Sequence, residues 1–328
     1  MKRFLVPLFL LFSVLMPCEG ALAGTVRMKL AHNLAEDHPT SKALQFFEKK
    51  VEEGSKGAIQ IQLFLGGTLG SEPEVVQQLK NGAVEMTRVG AATLENFEHV
   101  FSAFTLPYLF TGKENFYEVM EGPIAEKIYA ATREGGFIGL TFFDGGSRSF
   151  YTKNKAINVP DDLRGQKLRV MDSQTAIKMV EMMGGTPTPM PYGEIYGALQ
   201  QGVIDGAENN ATALTLGRHG EVTKFYSMDE HNMIPDFLII ATGVWDRLAA
   251  DQQALLKDAA RAATVFHKEL WKNAEDEALK IASETMGVTI VHPAKQPFID
   301  KVRPLYDEYA GDPVISELVA AVRATQKQ

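Results

Sequence analysis

Two stretches of the sequence contain the residues best suited to chemistry, residues 160–173 and residues 184–209. The first places Arg169 inside a short apolar run that is typical of a buried strand. A guanidinium that is removed from water at a strand end needs an anionic partner, and its own strand offers no carboxylate. The second stretch ends in the polar pair Glu208–Asn209. Together they predict a binding site for a small organic acid.

The first 23 residues have the pattern of a secretory signal peptide. Lys2 and Arg3 precede a mostly apolar run, and Ala21-Leu22-Ala23 gives the small-x-small pattern of a cleavage site. Cys18, the only cysteine, would leave with this segment, so the mature chain would have no thiol for a disulfide or a metal. A lipid attached to Cys18 is the alternative, although the proline before it fits poorly. We therefore predict a cleaved signal peptide and an exported protein.

Charge and length limit the classes of partner. The full chain has a net charge of −8, and removal of the leader makes it one unit more negative. Such an acidic chain has neither the basic footprint of a nucleic-acid-binding protein nor a polybasic patch for anionic lipid. Roughly 305 mature residues are more than one hydrophobic core usually fills, so two lobes are expected, in a protein that we take to be a monomer.

Strand-like and helix-like segments alternate along the chain, which predicts an α/β fold. Residues 26–31 and 137–143 are predicted strands, residues 39–54 a helix that begins at a proline, and residues 113–133 one further helix. From Asp246 to Met286 there is neither proline nor glycine, which predicts a helix roughly 50 Å long that could lie along both lobes. Two shorter helices are the alternative.

An internal echo also indicates two related lobes. Four residues recur at the same offset of 120 positions, namely Glu74, Leu79, Gly82 and Glu85, as Glu194, Leu199, Gly202 and Asp205. Both segments have the pattern of a helix, a glycine at its end and a short strand. If each lobe presents an equivalent strand end to a shared cleft, Arg88 occupies the place that Glu208 holds in the other lobe. A chance similarity between two common corners is the alternative.

The motifs, taken in order, resemble one family of receptors. They are Leu69-Gly70-Ser71-Glu72, residues 160–165 (PDDLRG), residues 167–170 (KLRV), residues 198–206 (ALQQGVIDG) and Glu208-Asn209. This series is similar to that of the DctP-type solute-binding proteins of tripartite ATP-independent periplasmic (TRAP) transporters. The resemblance implies a bilobed α/β fold with hinge strands and a long lobe-spanning helix. It also implies closure over one ligand, a partner complex of integral membrane subunits, and energy from an ion gradient.

The resemblance also implies a division of the chain. We predict a signal peptide over residues 1–23, a first lobe from residues 24–145 plus 234–274, and a second lobe from residues 146–233 plus 275–328. His231 and Pro235 fall where the chain returns to the first lobe, and we interpret them as hinge residues.

Four residues of the second lobe match family positions around the carboxylate of the ligand. Arg169 matches the arginine that grips the carboxylate, for which a planar guanidinium with paired donors is suited. Arg148 matches a second arginine, Asn209 an asparagine whose amide helps to hold the same group, and Tyr192 an aromatic residue that packs on the ligand. The alternatives are a structural salt bridge for Arg169, a solvated loop position for Arg148 and a core position for Tyr192.

The remaining candidates are expected to contact the rest of the ligand. Asn33 follows the first strand, Glu72 begins a helix, and Glu208 completes the polar pair with Asn209. Arg88 departs from many relatives and indicates a second anionic or hydroxyl-rich end of the ligand. The alternatives are that Glu72 serves only the helix terminus and that Arg88 balances Glu72 or Glu208.

This number of polar groups favours a hydroxylated monocarboxylate, such as a hexuronate or a related sugar acid. A C4-dicarboxylate or a 2-oxo acid remains the alternative ligand, and a periplasmic ligand sensor the alternative role. The sequence has none of the zinc-protease, nucleophile-elbow or phosphate-loop motifs, so we predict no enzymatic activity, no catalytic residues, no metal and no cofactor.

Overall fold

The structure is a computed structural model, and it describes residues 25–326. The predicted signal peptide and Cys18 lie outside the described residues. The strands of the described part are numbered in chain order: β1 (Val26–Ala31), β2 (Ile59–Phe64), β3 (Met86–Gly90), β4 (Phe137–Phe143), β5 (Arg148–Thr152), β6 (Lys167–Val170), β7 (Thr186–Pro189), β8 (Gly206–Asn209), β9 (Phe225–Asn232), β10 (Asp236–Ala241) and β11 (Thr289–Val291).

Helices cover the two sheets that these strands form. In chain order they are α1 (Pro39–Gly54), α2 (Glu72–Lys80), α3 (Ala91–Leu94), α4 (Ser102–Thr105), α5 (Lys113–Met120), α6 (Pro123–Ala131), α7 (Gln174–Met182), α8 (Ile195–Gln201), α9 (Thr212–Thr215), α10 (Thr242–Trp245), α11 (Ala250–Glu284), α12 (Gln296–Tyr309) and α13 (Pro313–Ala324). None of the helices within residues 25–326 combines the length and the apolar character needed to cross a bilayer.

The two sheets repeat one pairing pattern. The first has the order β2-β1-β3-β10-β4, and the second has the order β11-β9-β5-β8-β6-β7. In each, three parallel strands (β2-β1-β3 and β7-β6-β8) are followed by two antiparallel strands (β10-β4 and β5-β9). The α/β fold with two lobes is therefore confirmed, and β3 corresponds to β8 as β10 corresponds to β5.

The predicted internal echo is confirmed at the same corners. Gly82 and Gly202 both adopt left-handed backbone, with φ of 78° and 74°, a conformation that glycine tolerates at the end of a helix. The Glu85 carboxylate accepts the backbone N–H of residue 29 at 2.7 Å, and the Asp205 carboxylate accepts that of residue 167 at 2.8 Å. Each acid therefore ties its corner to the neighbouring parallel strand.

The chain passes between the sheets at two short segments and along one helix. Residues 144–147 lead from β4 to β5, and residues 233–235 lead from β9 to β10. The third connection is α11, whose 35 residues make a helix about 52 Å long. Its first half is buried with first-lobe residues, through Leu256 and Ala260 for example, while Ala278 and Ala282 join the core of the second lobe. The single long helix is thus confirmed.

Two sequence-based expectations differ from the structure. Residues 113–133 form two helices instead of one, because Gly122 and Pro123 interrupt the hydrogen-bond ladder and the proline begins α6. The predicted division places residues 275–328 in the second lobe, but α13 packs against α4 and α6 of the first lobe. Its apolar stripe faces the interior there, and the Asn115 side chain donates to Thr325 Oγ1 at 2.8 Å. An amphipathic helix after a short turn would fit either lobe, so its sequence did not reveal this placement.

Candidate ligand-binding site

A cavity of about 630 Å³ lies between the two lobes. Strand ends and loops of both sheets line it, as expected for a ligand site at the carboxyl ends of strands in open α/β sheets. Most of the predicted site residues meet there, although they are far apart in sequence. Those that line the cavity are Asn33, Glu72, Arg88, Arg148, Arg169, Tyr192 and Asn209.

Arg169 is the cavity arginine with the most open donor capacity. It lies on β6 between β7 and β8, is 4% exposed, and donates from Nε to the carbonyl of Met190 at 2.9 Å. Its two terminal nitrogens bond to no acceptor among residues 25–326. Burial lowers the pKa of Arg169 although the charge of Glu208 opposes this effect. A buried guanidinium with an open fork is suited to bind a carboxylate from outside the protein.

Arg148, in contrast, is held by its own carboxylate. Its Nε and Nη2 donate to the two carboxylate oxygens of Glu208 at 2.6 and 2.9 Å, and Nη1 donates to Asn209 Oδ1 at 2.8 Å. Burial alone would raise the pKa of Glu208, but the charge of Arg148 and hydrogen bonds from His231 and Arg148 lower it to about 2. Glu208 is 2% exposed and lies behind Arg148, outside the cavity lining. The structure therefore places Glu208 where it orients Arg148, not where a ligand would contact it.

A histidine and an aspartate, both near the hinge, continue this buried network. His231 Nδ1 lies 2.8 Å from Asp229 Oδ2, and its Nε2 lies 3.4 Å from Glu208 Oε2. Burial lowers the pKa of His231, but the charges and hydrogen bonds of Asp229 and Glu208 outweigh it and raise the pKa to about 9. His231 does not line the cavity, and its carbonyl accepts the backbone N–H of Tyr108 at 2.8 Å. His231 therefore links the buried Arg148–Glu208 pair to the first lobe, next to residues 233–235 that connect the two sheets.

Two further polar side chains of the second lobe face the cavity. Asn209 accepts from Arg148 and from the backbone N–H of Asn210 at 2.9 Å through the same Oδ1 atom. Its Nδ2 atom thus remains as a donor. Tyr192 lines the cavity, its ring lies 5.5 Å from that of His219, and its hydroxyl packs so close to Gly217 that a Cβ there would lie 2.5 Å from it. Burial raises the pKa of Tyr192, opposed by the charges of Arg169, Arg88 and Arg148, so the phenol is a neutral donor.

In the first lobe, Arg88 lies between two carboxylates. Its Nη1 donates to Glu72 Oε1 at 2.7 Å and to Asn33 Oδ1 at 3.3 Å, and its Nη2 donates to Asp236 Oδ2. The alternative in which Arg88 balances Glu72 is therefore the arrangement observed, with Asp236 and not Glu208 as the second acid. Glu72 is not the capping residue of α2, because it is the Glu74 carboxylate that accepts the backbone N–H and the hydroxyl of Ser71, both at 2.8 Å.

Several lining residues were not anticipated from the sequence. They include Thr93, Met190, Asp236 and Trp271. Asp236 carries the same signal that identified Arg169, since it is a charged residue at the end of a fully buried strand. Thr93 donates to Glu72 Oε2 at 2.9 Å, a contact that depends on the packing of α3 against α2 and leaves no mark in the sequence. Among residues 25–326 no group of three or more His, Cys, Asp or Glu side chains is arranged to hold a metal ion.

Comparison with known proteins gives a consistent picture. Residues 30–312 match the model of bacterial extracellular solute-binding protein, family 7 (DctP). A C4-dicarboxylate-binding periplasmic protein DctP from Rhodobacter capsulatus is 28% identical over 313 residues, which cover 93% of this chain and 92% of the relative.

Solved structures are similar over the same extent. A TRAP periplasmic solute-binding protein from Anaerococcus prevotii with bound α/β-D-glucuronate is 39% identical with a TM-score of 0.90, over 92% of this chain and 98% of that one. One from Xanthobacter autotrophicus with bound β-D-galacturonate is 34% identical with a TM-score of 0.89, over 91% of this chain and 100% of that one. The match of the family model over residues 30–312, together with the similarity in fold and sequence, shows that this chain belongs to family 7 of the bacterial extracellular solute-binding proteins.

Proposed function

We propose that this protein is a periplasmic receptor that binds a hexuronate and delivers it to the integral membrane subunits of a TRAP transporter. The observation that carries the proposal is Arg169, a buried guanidinium with two terminal nitrogens open to the cavity. The similarity to proteins that hold glucuronate and galacturonate, at 39% and 34% identity, supports a hexuronate as the acid.

The proposed roles of the site residues follow from their free atoms. Arg169 binds both oxygens of the ligand carboxylate through its fork, and Asn209 Nδ2 and the Tyr192 hydroxyl donate to the same group or to its neighbours. Arg148, whose charge is matched by Glu208, shapes this end of the cavity, and Glu208 fixes its orientation. Asn33, Glu72 and Arg88 face the hydroxyl-bearing part of the ligand from the first lobe.

The receptor acts as a monomer that holds its ligand without changing it. Ligand-binding groups on two lobes joined by a hinge are suited to capture and release. A D-glucuronate sample incubated with an equimolar amount of protein should therefore give an unchanged proton NMR spectrum after removal of the protein. The appearance of new sugar resonances would instead show that the cavity is catalytic.

A thermal-shift screen tests the ligand class. The chain without residues 1–23 is heated with D-glucuronate, D-galacturonate, succinate or pyruvate, since a ligand that binds only the folded state raises the melting temperature. We expect the hexuronates to give the largest shifts, and calorimetry to confirm one site per chain. A larger shift with succinate or pyruvate would overturn the hexuronate assignment and favour the dicarboxylate or 2-oxo acid alternative.

An uptake experiment in the bacterium separates a role in transport from a role in sensing. Deletion of the gene should abolish uptake of radiolabelled D-glucuronate, and a plasmid copy should restore it. If uptake persists when the membrane subunits are expressed from an independent promoter in the deletion strain, the protein is a sensor and not the receptor of the transporter.

A further inference from the structure

The two walls of the cavity differ in local charge. In the second lobe Arg148 is matched by Glu208, and Arg169 has no bonded carboxylate in the described part of the chain. In the first lobe Arg88 lies between two carboxylates, those of Glu72 and Asp236. Leaving aside the exposed carboxylates Glu74, Asp172 and Glu194, which also line the cavity, these charges make the second-lobe wall locally positive and the first-lobe wall locally negative.

Asp236 is the first-lobe acid with an open acceptor atom. Its Oδ2 is bonded to Arg88, but its Oδ1 receives no hydrogen bond from any described residue. The other acid is fully engaged, because Glu72 Oε1 accepts from Arg88 at 2.7 Å and Oε2 accepts from Thr93 at 2.9 Å and from the Gly90 amide at 3.3 Å. Asp236 is 8% exposed and lines the cavity.

The internal repeat of the fold points to the same residue independently. Arg88 on β3 is in register with Leu238 on β10, and Asp236 lies two residues before Leu238. In the second lobe Glu208 on β8 is in register with Phe150 on β5, and Arg148 lies two residues before Phe150. The two ion pairs thus occupy equivalent places with their charges reversed, so that Asp236 is the counterpart of Arg148.

We propose that Asp236 determines specificity at the end of the ligand remote from its carboxylate. Its Oδ1 accepts the hydrogen of a ligand hydroxyl, and the excess negative charge of the Glu72–Arg88–Asp236 cluster excludes an acid that carries a second carboxylate there. The receptor consequently takes monocarboxylate sugar acids and rejects aldaric acids of the same chain length. This inference rests on the proposed function and adds the charge state of the accepted ligand.

The test compares acids that differ in the oxidation of one terminal carbon. Calorimetry measures the affinity of the wild-type protein for D-glucuronate and D-glucarate, and for D-galacturonate and galactarate. Because like charges at close range in a partly buried site repel strongly, we expect each uronate to bind about tenfold to a hundredfold more tightly than its aldarate. The variant Asp236→Asn should weaken the uronates and reduce this ratio by about tenfold or more.

The control is Asp37→Asn, which removes an exposed first-lobe carboxylate that does not line the cavity. It should leave the ratio within about twofold of wild type, because an exposed charge is screened by water. If Asp236→Asn does not fold, as judged by its melting temperature, Glu72→Gln removes the other acid and should lower the ratio in the same way.

The outcomes are distinct. If the wild-type protein binds uronates tightly but binds the aldarates equally well, the role of Asp236 is overturned and the proposed function remains. The same conclusion follows if neither Asp236→Asn nor Glu72→Gln changes the ratio of uronate affinity to aldarate affinity. An absence of uronate binding to the wild-type protein overturns the proposed function, and this inference with it.

Discussion

At the scale of single residues, the three cavity arginines differ in what holds them. Arg88 and Arg148 are each paired with carboxylates of the same lobe, whereas Arg169 is anchored only through Nε. An arginine whose charge is already matched contributes shape and orientation to a site, while one with an open fork contributes affinity for an anion. This difference ranks Arg169 above the others for ligand capture.

The substitution Arg169→Lys tests this ranking. Lysine keeps the charge but loses the paired donors and the Nε bond to Met190, and a hydrogen bond to a charged group is worth roughly 1.5–3 kcal/mol. We expect affinity for the bound acid to fall about tenfold to a hundredfold in calorimetry, with a melting temperature of the free protein close to wild type. Affinity within twofold of wild type would remove Arg169 from the site.

His231 gives a second residue-scale prediction, in the pH dependence of stability. Its folded pKa of about 9 lies above the usual 6.5, so its contribution is fully present below pH 6.5 and is lost as pH rises through 9. A shift of this size corresponds to about 3 kcal/mol. Urea unfolding from pH 6 to pH 9.5 should show this loss in the wild type and a flatter profile in His231→Gln. Parallel profiles would show that His231 is neutral in the folded protein.

How far the site could be predicted also becomes clear at the residue scale. Arg169 was found because a lone charge in an apolar strand is visible in the sequence, and Asp236 carries the same signal at the start of β10. The pairing of Arg148 with Glu208, 60 residues away, and of Arg88 with Asp236, 148 residues away, depends on strand order. A sequence shows which charges are buried but not which of them already neutralise one another.

At the scale of elements, the strands and helices could be predicted from local sequence patterns and from the internal repeat. Alternating patterns, a proline at the start of α1 and glycines after α2 and α8 gave the element order, and the 120-residue echo gave the equivalence of β3 with β8. The failures were of tertiary origin. The sequence-based prediction of one helix over residues 113–133 misses the break at Gly122–Pro123, and the position of α13 on the first lobe is determined by packing alone.

The first crossing between the lobes gives the element-scale prediction. Gly146 has a φ of 70°, and a Cβ there would lie 2.5 Å from Glu275 Oε1 and 3.1 Å from Trp271 Cζ2 on α11. Gly146→Ala should therefore destabilise the protein by about 1–3 kcal/mol, through backbone strain and this close approach. Thermal unfolding measures the effect.

The matched control is Gly243→Ala in α10, where a Cβ would meet only Arg247 Nη1 at 3.8 Å. Alanine in a helix is favoured over glycine by about 0.5–1 kcal/mol, so this variant should be as stable as wild type or more so. Equal melting temperatures for the two variants would show that the crossing tolerates a side chain and has room to adjust.

At the scale of the whole molecule, the binding groups are divided between two bodies joined by few segments. The proposed carboxylate end lies on the second lobe and the Glu72–Arg88–Asp236 cluster on the first, while residues 144–147, residues 233–235 and α11 connect them. A ligand that contacts both walls is bound more tightly by the closed arrangement than by an open one, and it shifts the population accordingly.

Closure on binding is the prediction for the whole molecule. Small-angle X-ray scattering of the chain without residues 1–23 should show a smaller radius of gyration with saturating D-glucuronate than without it, because bound ligand joins the two lobes by hinge motion. The control is Arg169→Lys at a ligand concentration between the dissociation constants of the wild type and the variant. This variant should keep the radius of the free protein, and the control therefore separates closure from any effect of the solute on scattering contrast. A radius that stays constant while calorimetry shows full occupancy would mean that the cavity is filled without rotation of the lobes, and that the membrane complex distinguishes loaded from empty receptor by some feature other than its closure.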